Sequence, residues 1–134
     1  MNVGAGAGTG GLGTSTLALG LTRAAIEFLA KESVNRADLA APHDALATEA
    51  AQLEVDLFAG VRGRPACSND ELRQRANSLV LRSTQAALAA AKGAGYVAGH
   101  PAGRWCREAL FFLVWSCPQP VLSANLCELA GILD

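Results

Sequence analysis

The stretch Lys92–Gln119, KGAGYVAGHPAGRWCREALFFLVWSCPQ, governs how the rest of the chain is interpreted. It opens with a glycine-rich segment, in which glycine permits positive φ angles and close backbone approach, and Pro101 blocks continuation of a helix from the preceding side. The apolar run that follows predicts a helix from about Ala102 to Trp115, and Pro118 ends it. We therefore expect the chain to turn sharply between two helices here.

The sequence on either side of this stretch predicts four more helices and no strand. Thr14 or Ser15 can cap the first helix, and Ser68-Asn-Asp-Glu71 is a capping box before the third. Short links join the helices, so the predicted fold is all-α, an antiparallel four- to five-helix bundle. The four helices are expected at about Ser15–Lys31, His43–Val61, Asn69–Ala91 and Val121–Leu129.

Apolar residues at helical spacing predict which face of each helix is buried. The first half of the third helix carries Arg73, Arg75 and Arg82 and is expected to be charged on one face. Its second half is nearly all alanine, which allows close approach of a neighbouring helix or of a ligand. The predicted inward residues are Leu17, Leu21, Ala24, Ala25 and Phe28 in the first helix, Leu46, Ala50, Leu53, Leu57 and Val61 in the second, and Leu122, Leu126 and Leu129 in the last.

The composition favours one apolar domain with a buried partner face. Hydrophobic residues make up 51% of the 134 residues and charged residues only 17%, which is too apolar for disorder and leaves little polar cover for an isolated monomer. The formal net charge of -1 gives no electrostatic footprint for nucleic acid. No apolar run reaches the ~20 residues of a membrane span, and the N-terminus lacks a basic signal region, so we expect a cytoplasmic protein.

The glycine-rich beginning, MNVGAGAGTGGLGTST, superficially resembles a dinucleotide-binding fingerprint. That fingerprint requires a preceding strand and an acidic residue about twenty positions later, within a βαβ unit, and only the following helix is predicted here. We interpret residues 1–14 as a flexible lead and residues 15–134 as the helical bundle domain.

The four cysteines, at positions 67, 106, 117 and 127, form no C-x-x-C pair, and the only histidines are His43 and His100. Zinc sites usually pair ligands two to four residues apart. The spacing therefore predicts no metal site. Buried, reduced thiols are expected instead.

Gly93-Ala-Gly-Tyr96, Pro101, Arg104 and Arg107-Glu108-Ala109 together resemble a junction in the C-terminal helical domain of acyl-CoA dehydrogenases. That family typically shows Gly-Gly-x-Gly-Tyr, then Pro, then Arg-x-x-Arg-Asp-Ala. The segment LALGLTRAAIEFLAKES is similar to the first helix of the same domain. The resemblance implies a helical domain that closes over FAD and packs into oligomers, and it covers only the last third of a complete dehydrogenase.

The resemblance also implies where a cofactor would bind. Residues Lys92, Gly93, Gly95 and Arg104 are the predicted contacts to FAD, shared with a partner chain. Lys92 stands where the family has the first glycine of its pair, and its amine could approach a phosphate. For Arg104 and Arg107 two alternatives remain: salt bridges to acidic residues of a neighbouring helix, or contact with a phosphate-bearing ligand.

The resemblance implies no catalytic residue in this chain. The glutamate that removes the α-proton in most family members falls on Ser116, and a serine hydroxyl cannot act as that base without an activating neighbour. Other members place the base near the start of the first helix, where no carboxylate precedes Glu27.

Two functions remain open at this point. The chain is either a C-terminal helical domain or small subunit of an acyl-CoA dehydrogenase-like flavoprotein oxidoreductase, not catalytic alone, or a non-catalytic assembly protein derived from that family. The expected partners are further copies of the chain or a larger dehydrogenase-like subunit.

Overall fold

The computed structural model describes the backbone of residues 3–132 and the side chains of residues 12–132, and this part of the chain contains helices and no strand. The predicted all-α class with five helices is therefore confirmed. Two short 3₁₀ segments, Ala37–Leu39 and Lys92–Tyr96, precede the second helix and follow the third. The helices are α1 (Val3–Ser33), α2 (Ala40–Val61), α3 (Asn69–Ala91), α4 (Pro101–Val114) and α5 (Gln119–Leu129).

Local signals place α3 where the sequence predicts it. The Ser68 hydroxyl accepts a hydrogen bond from the backbone N–H of Glu71 at 3.0 Å, as a capping box requires. Asp70 and Glu71 lie in the first turn, where the helix dipole favours negative charge. The helix ends at Ala91, one residue before the glycine-rich segment.

The first helix begins well before its predicted start. It runs from Val3, so Thr14 and Ser15 lie inside the helix and neither is its N-cap. A glycine weakens a helix by about 1 kcal/mol relative to alanine, but no proline interrupts this segment and each added residue gains a backbone hydrogen bond. Leu12 packs against the core, which anchors this extension. Met1 and Asn2 lie outside the described residues, and the division of the chain at residue 14 stays a prediction.

The second helix also begins early, at Ala40 rather than near His43. Pro42 lies in its first turn and not in a link. The N–H groups of a first turn have no partner within the helix, so a residue without an N–H is tolerated there.

The centre of the fold is α3, which packs against each of the other four helices. Ion pairs of Arg75 with Asp56 and of Arg82 with Glu49 show that α2 runs antiparallel to α3. A hydrogen bond from the Cys106 thiol to the carbonyl of Thr84 lies on the side of α3 that faces α4. Buried residues therefore occur around most of α3, and they include Leu72, Ala76, Leu79, Val80, Thr84 and Ala87.

The predicted inward face of α1 is right in part, that of α2 is largely right and that of α5 is largely wrong. In α1, Ala25 is buried and Leu21 and Phe28 pack against the core as predicted, whereas Leu17 is 66% exposed. Ser15, Ala18 and Thr22, which the pattern did not predict, are buried as well. In α5, Leu126 and Leu129 are exposed while Val121 and Asn125 point inward. In α2, the four predicted residues from Leu46 to Leu57 are buried and only Val61 is exposed.

The charged face predicted for α3 is corrected at Arg73, whose side chain is fully buried. Its guanidinium donates to the backbone carbonyls of Phe112, Trp115 and Ser116 at 2.9, 2.7 and 3.0 Å. Its Nε donates to Asn77 Oδ1 at 3.0 Å. Burial lowers the pKa of Arg73, and nearby Cys117 acts in the opposite direction. A buried cation thus satisfies the free carbonyls at the C-terminus of α4, where the helix dipole favours positive charge.

Two asparagines extend this polar cluster to α5. The Asn77 amide donates to the Phe112 carbonyl at 3.0 Å and to Asn125 Oδ1 at 2.9 Å. These bonds explain why α5 presents Asn125 inward: the buried amide of Asn77 needs an acceptor, and an apolar residue could not supply one. None of the described helices is long and apolar enough to cross a membrane.

Candidate anion-binding cleft

A cleft of about 370 Å³ lies where the chain turns from α3 into α4. The backbone of residues 95–100 forms one side and the first two turns of α4 form the other. Its lining includes two charged side chains, Arg104 and Arg107, and no carboxylate. The cleft therefore has a positive rim.

Two glycines set the spacing of its walls. A Cβ on Gly103 would lie 2.9 Å from the carbonyl oxygen of Gly95, closer than real Cβ atoms come to a backbone oxygen. A Cβ on Gly95 would lie 2.7 Å from Cβ of Ala91 and 3.0 Å from Cδ1 of Leu88. The missing side chain of Gly103 thus lets the first turn of α4 approach the turn after α3, and that of Gly95 lets this turn pack closely on α3 itself.

His100 fixes the start of α4. Its Nδ1 accepts a hydrogen bond from the backbone N–H of Ala102 at 3.1 Å, so the imidazole acts as the N-cap, and Pro101 occupies the first helical turn. The ring of Phe28 in α1 meets the rings of His100 and Trp105 edge-on, with centroids 5.7 and 6.0 Å apart. These contacts hold the N-terminus of α4 against α1.

The two arginines stand at the end of the helix that the dipole makes positive. Arg104 Nε lies 3.7 Å from Glu108 Oε2 on the same helix, and both side chains are more than half exposed. Such a surface pair contributes at most about 1 kcal/mol. Arg107 has no carboxylate within ion-pair distance among the described residues. Of the two alternatives for these arginines, a salt bridge to a neighbouring helix is thus not formed.

The structure brings together two of the four predicted cofactor contacts. Gly95 and Arg104 line the cleft, whereas Lys92 and Gly93 do not. Lys92 is the C-cap that directly follows α3, with φ 58° and ψ -146°, a conformation that glycine adopts far more readily than lysine. Gly93 is exposed, and a Cβ there would meet nothing within 4 Å.

Sequence reasoning missed the capping role of His100. The signal was present, because a side-chain acceptor directly before a proline is a common start of a helix. Reasoning from the sequence assigned His100 only to the search for metal ligands. Among the described residues, no three or more histidines, cysteines, aspartates or glutamates gather where they could hold a metal ion.

Cys106 forms part of the cleft wall but stays a thiol. Burial raises its pKa, and the Thr84 side chain and the charge on Arg107 act in the opposite direction. The thiol donates a hydrogen bond to the backbone carbonyl of Thr84 at 3.2 Å. A raised pKa lowers the thiolate fraction at neutral pH, and the thiolate is the nucleophile. All four cysteines are free, and each is partly buried rather than fully buried as predicted.

The resemblance would place a catalytic base at one of two positions in the chain, and neither position lines the cleft. Ser116 is exposed after the end of α4, with φ 45°, and its carbonyl is held by Arg73. Glu27 is on the outer surface of α1 and pairs with Lys31 at 3.6 Å. Neither residue lines the cleft.

Comparison with protein-family models, with curated proteins and with solved structures found no match to this chain. What the cleft can do therefore follows from its own chemistry. Two guanidinium groups beside a helix N-terminus favour a bound anion, and guanidinium geometry suits the oxygens of a phosphate.

Proposed function

We propose that this chain is a helical subunit that is not catalytic alone and that binds a phosphate-bearing ligand in the cleft at the N-terminus of α4. The observation that carries the proposal is the pair Arg104 and Arg107, two cations that line one cleft in the first half of α4, one with a weak partner and one with no ion pair among the described residues. Unbalanced cations at this end destabilise a helix, and a bound anion reverses the sign of that effect.

The ligand that the resemblance implies is FAD, with its remainder held by a partner chain. The residues present fit a phosphate group: guanidinium donors at the rim, a helix N-terminus, and Gly99, which is exposed and would carry a Cβ into open space. They do not fit the whole dinucleotide, since Lys92 and Gly93 lie outside the cleft. Bound FAD would supply hydride acceptance, and this chain would supply charge and a helical wall.

Titration of the purified chain with three ligands by calorimetry tests this function. FAD and ADP both carry a diphosphate, whereas riboflavin has the flavin ring and no phosphate. We expect FAD and ADP to bind with similar affinity, riboflavin to show no saturable binding, and the affinities for FAD and ADP to fall steeply with added salt.

Two sets of variants locate the site. Replacing Arg104 and Arg107 together with glutamine should weaken ADP binding at least about tenfold, the loss expected when a charge-assisted contact of about 1.4 kcal/mol is removed. Arg62→Gln is the matched control, because Arg62 lies at the end of α2, where it stacks over Phe58 outside the cleft. Equal binding of riboflavin and FAD, or equal loss in the Arg62 variant, would contradict the proposal.

The alternative function, a non-catalytic assembly protein derived from the same family, makes the opposite prediction for these ligands. No diphosphate would bind, and only the solution mass would report a function. The same titration therefore separates the two.

A further inference from the structure

The outer surface of α4 changes character along the helix. Its first two turns carry Arg104, Arg107 and Glu108, whereas its second half exposes Leu110, Phe111, Val114 and Trp115. Val114 is 80% exposed and Trp115 57%. A contiguous cluster of exposed apolar side chains often marks an interaction site.

A groove lies beside this surface, between α1 and α4. Its walls are the side chains of Leu17, Leu21, Phe111 and Phe112, and Glu108 stands at its rim. Leu17 is 66% exposed although it lies in the middle of a helix, because the groove leaves it uncovered. The groove is almost entirely apolar and is open on its outer side, so it suits an inserted apolar side chain.

The exposed indole ring of Trp115 lies next to the groove. The indole of Trp115 stacks on Phe111 with ring centroids 5.4 Å apart and an interplanar angle of 20°. Phe111 in turn meets Phe112 edge-on at 5.4 Å. The stack holds the indole in one orientation, so little side-chain entropy would be lost when a partner covers it.

We propose that this surface, which we call the α1–α4 face and define by Leu17, Leu21, Leu110, Phe111, Val114 and Trp115, is covered by a second copy of the chain. A two-fold interface uses the same patch on both partners, so the patch must carry both a projection and the groove that receives it. The α1–α4 face carries both. Antiparallel pairing of two α4 helices places each Trp115 over the groove of the other copy.

Area and charge agree with this occupant. An aromatic side chain presents about 150–250 Å² when fully exposed, and the two of the α1–α4 face are 43% and 57% exposed. Its aliphatic residues Leu17, Leu110 and Val114 are 55–80% exposed, so the whole face exposes on the order of 500 Å² of apolar surface. A standard interface buries roughly 800 Å² per partner. An apolar centre of about 500 Å² reaches this area when a rim of polar residues is buried around it. The formal net charge of -1 means that two copies repel each other little.

The inference does not rest on the proposed phosphate binding. The cleft is at the N-terminal end of α4 and the α1–α4 face is at its C-terminal half, so either can fail without the other.

Solution mass by light scattering, measured over a range of micromolar concentrations, tests the proposal on the full chain. The wild type should have twice the mass of one 13.8 kDa chain. Trp115→Glu and Leu17→Glu change the projection on α4 and the groove on α1, and each should yield single chains. Both side chains are more than half exposed, so the circular dichroism of the helices should not change.

Val55→Glu is the matched control, since Val55 is 59% exposed on α2, outside the α1–α4 face. It should keep the mass of the wild type. A wild type of single-chain mass at every concentration would overturn the proposal and assign the α1–α4 face to a partner of different sequence. A dimer that persists in either face variant, or that the control also dissociates, would overturn it as well.

Discussion

Arginine side chains lie at both ends of α4, but in opposite electrostatic settings. At the C-terminus, the buried Arg73 donates to three backbone carbonyls from the neighbouring helix α3. At the N-terminus, Arg104 and Arg107 are exposed, and their only described carboxylate partner is Glu108, 3.7 Å from Arg104. The dipole of α4 favours the cation at the first end and disfavours the cations at the second.

This difference separates a structural arginine from candidate binding arginines. Arg73 completes the hydrogen bonds of a helix end, so the folded state needs it. Arg104 and Arg107 give the folded state nothing of that kind, and Arg104, at the end of the first turn, opposes the dipole. Residues that reduce stability without a structural benefit are typical of functional sites. The predictions below test whether the two ends of α4 differ in this way.

The largest effect is expected at Arg73. Arg73→Met removes a donor from three carbonyls and from Asn77 Oδ1. The Phe112 carbonyl keeps the Asn77 amide, but Asn77 Oδ1 and the carbonyls of Trp115 and Ser116 lose the donor described for them. Acceptors left unsatisfied cost about 1–3 kcal/mol each, so the free energy of unfolding should fall by about 3 kcal/mol or more. Urea denaturation measures this.

Arg23→Met is the matched control for that experiment, because Arg23 forms an exposed ion pair with Glu54. Its cost should stay within about 1 kcal/mol. Equal losses in the two variants would mean that the buried carbonyl contacts of Arg73 stabilise no more than a surface ion pair does.

A smaller loss is expected at the glycine contact beneath the cleft. Gly95→Ala would place a Cβ 2.7 Å from that of Ala91, and overpacking of this kind costs about 2 kcal/mol. Gly20→Ala is the control, since a Cβ there meets nothing within 4 Å inside α1, and it should instead stabilise by about 0.5–1 kcal/mol. Thermal unfolding of both variants measures the two shifts, and a stabilised Gly95→Ala protein would contradict the close packing of the 3₁₀ segment Lys92–Tyr96 on α3.

The next effect has the opposite sign and concerns Lys92. A non-glycine residue with φ 58° and ψ -146° stores about 1 kcal/mol or more of strain, so Lys92→Gly should raise the free energy of unfolding by about 1 kcal/mol. Lys92→Ala removes the amine and keeps the Cβ, so it should change stability little. If the alanine variant is stabilised as much as the glycine variant, the lysine charge and not the backbone is the cause.

Local sequence signals anticipated part of this fold. The capping box at Ser68 and the break after Ala91 fixed α3 because both act within a few residues. The inward face of α5 was largely wrong and that of α1 only partly right, because apolar or small residues occur all around these helices and periodicity alone does not select one face. Burial of Arg73 had no sequence signal, since its partners are backbone carbonyls 39 to 43 residues away.

The candidate site was anticipated to a similar degree. The glycines and arginines of the turn from α3 to α4 were predicted to contact a cofactor, and Gly95 and Arg104 line a cleft there. The directions of Lys92 and Gly93 depend on how the 3₁₀ segment turns after α3, which spacing in the sequence does not determine. The N-cap role of His100 depends on the same turn.

The smallest expected change in stability belongs to Arg107 and tests the central claim most directly. Arg107→Gln removes an exposed cation that has no ion pair among the described residues and lies beyond the first turn of α4, so the free energy of unfolding of the ligand-free protein should change by less than about 0.5 kcal/mol. The same variant should bind ADP several-fold more weakly than the wild type. Urea denaturation and ADP titration on one preparation measure both. Nearly unchanged stability with weaker binding is the predicted result; a clear loss of stability, or unchanged ADP affinity, would show that Arg107 serves the fold and not a phosphate-bearing ligand.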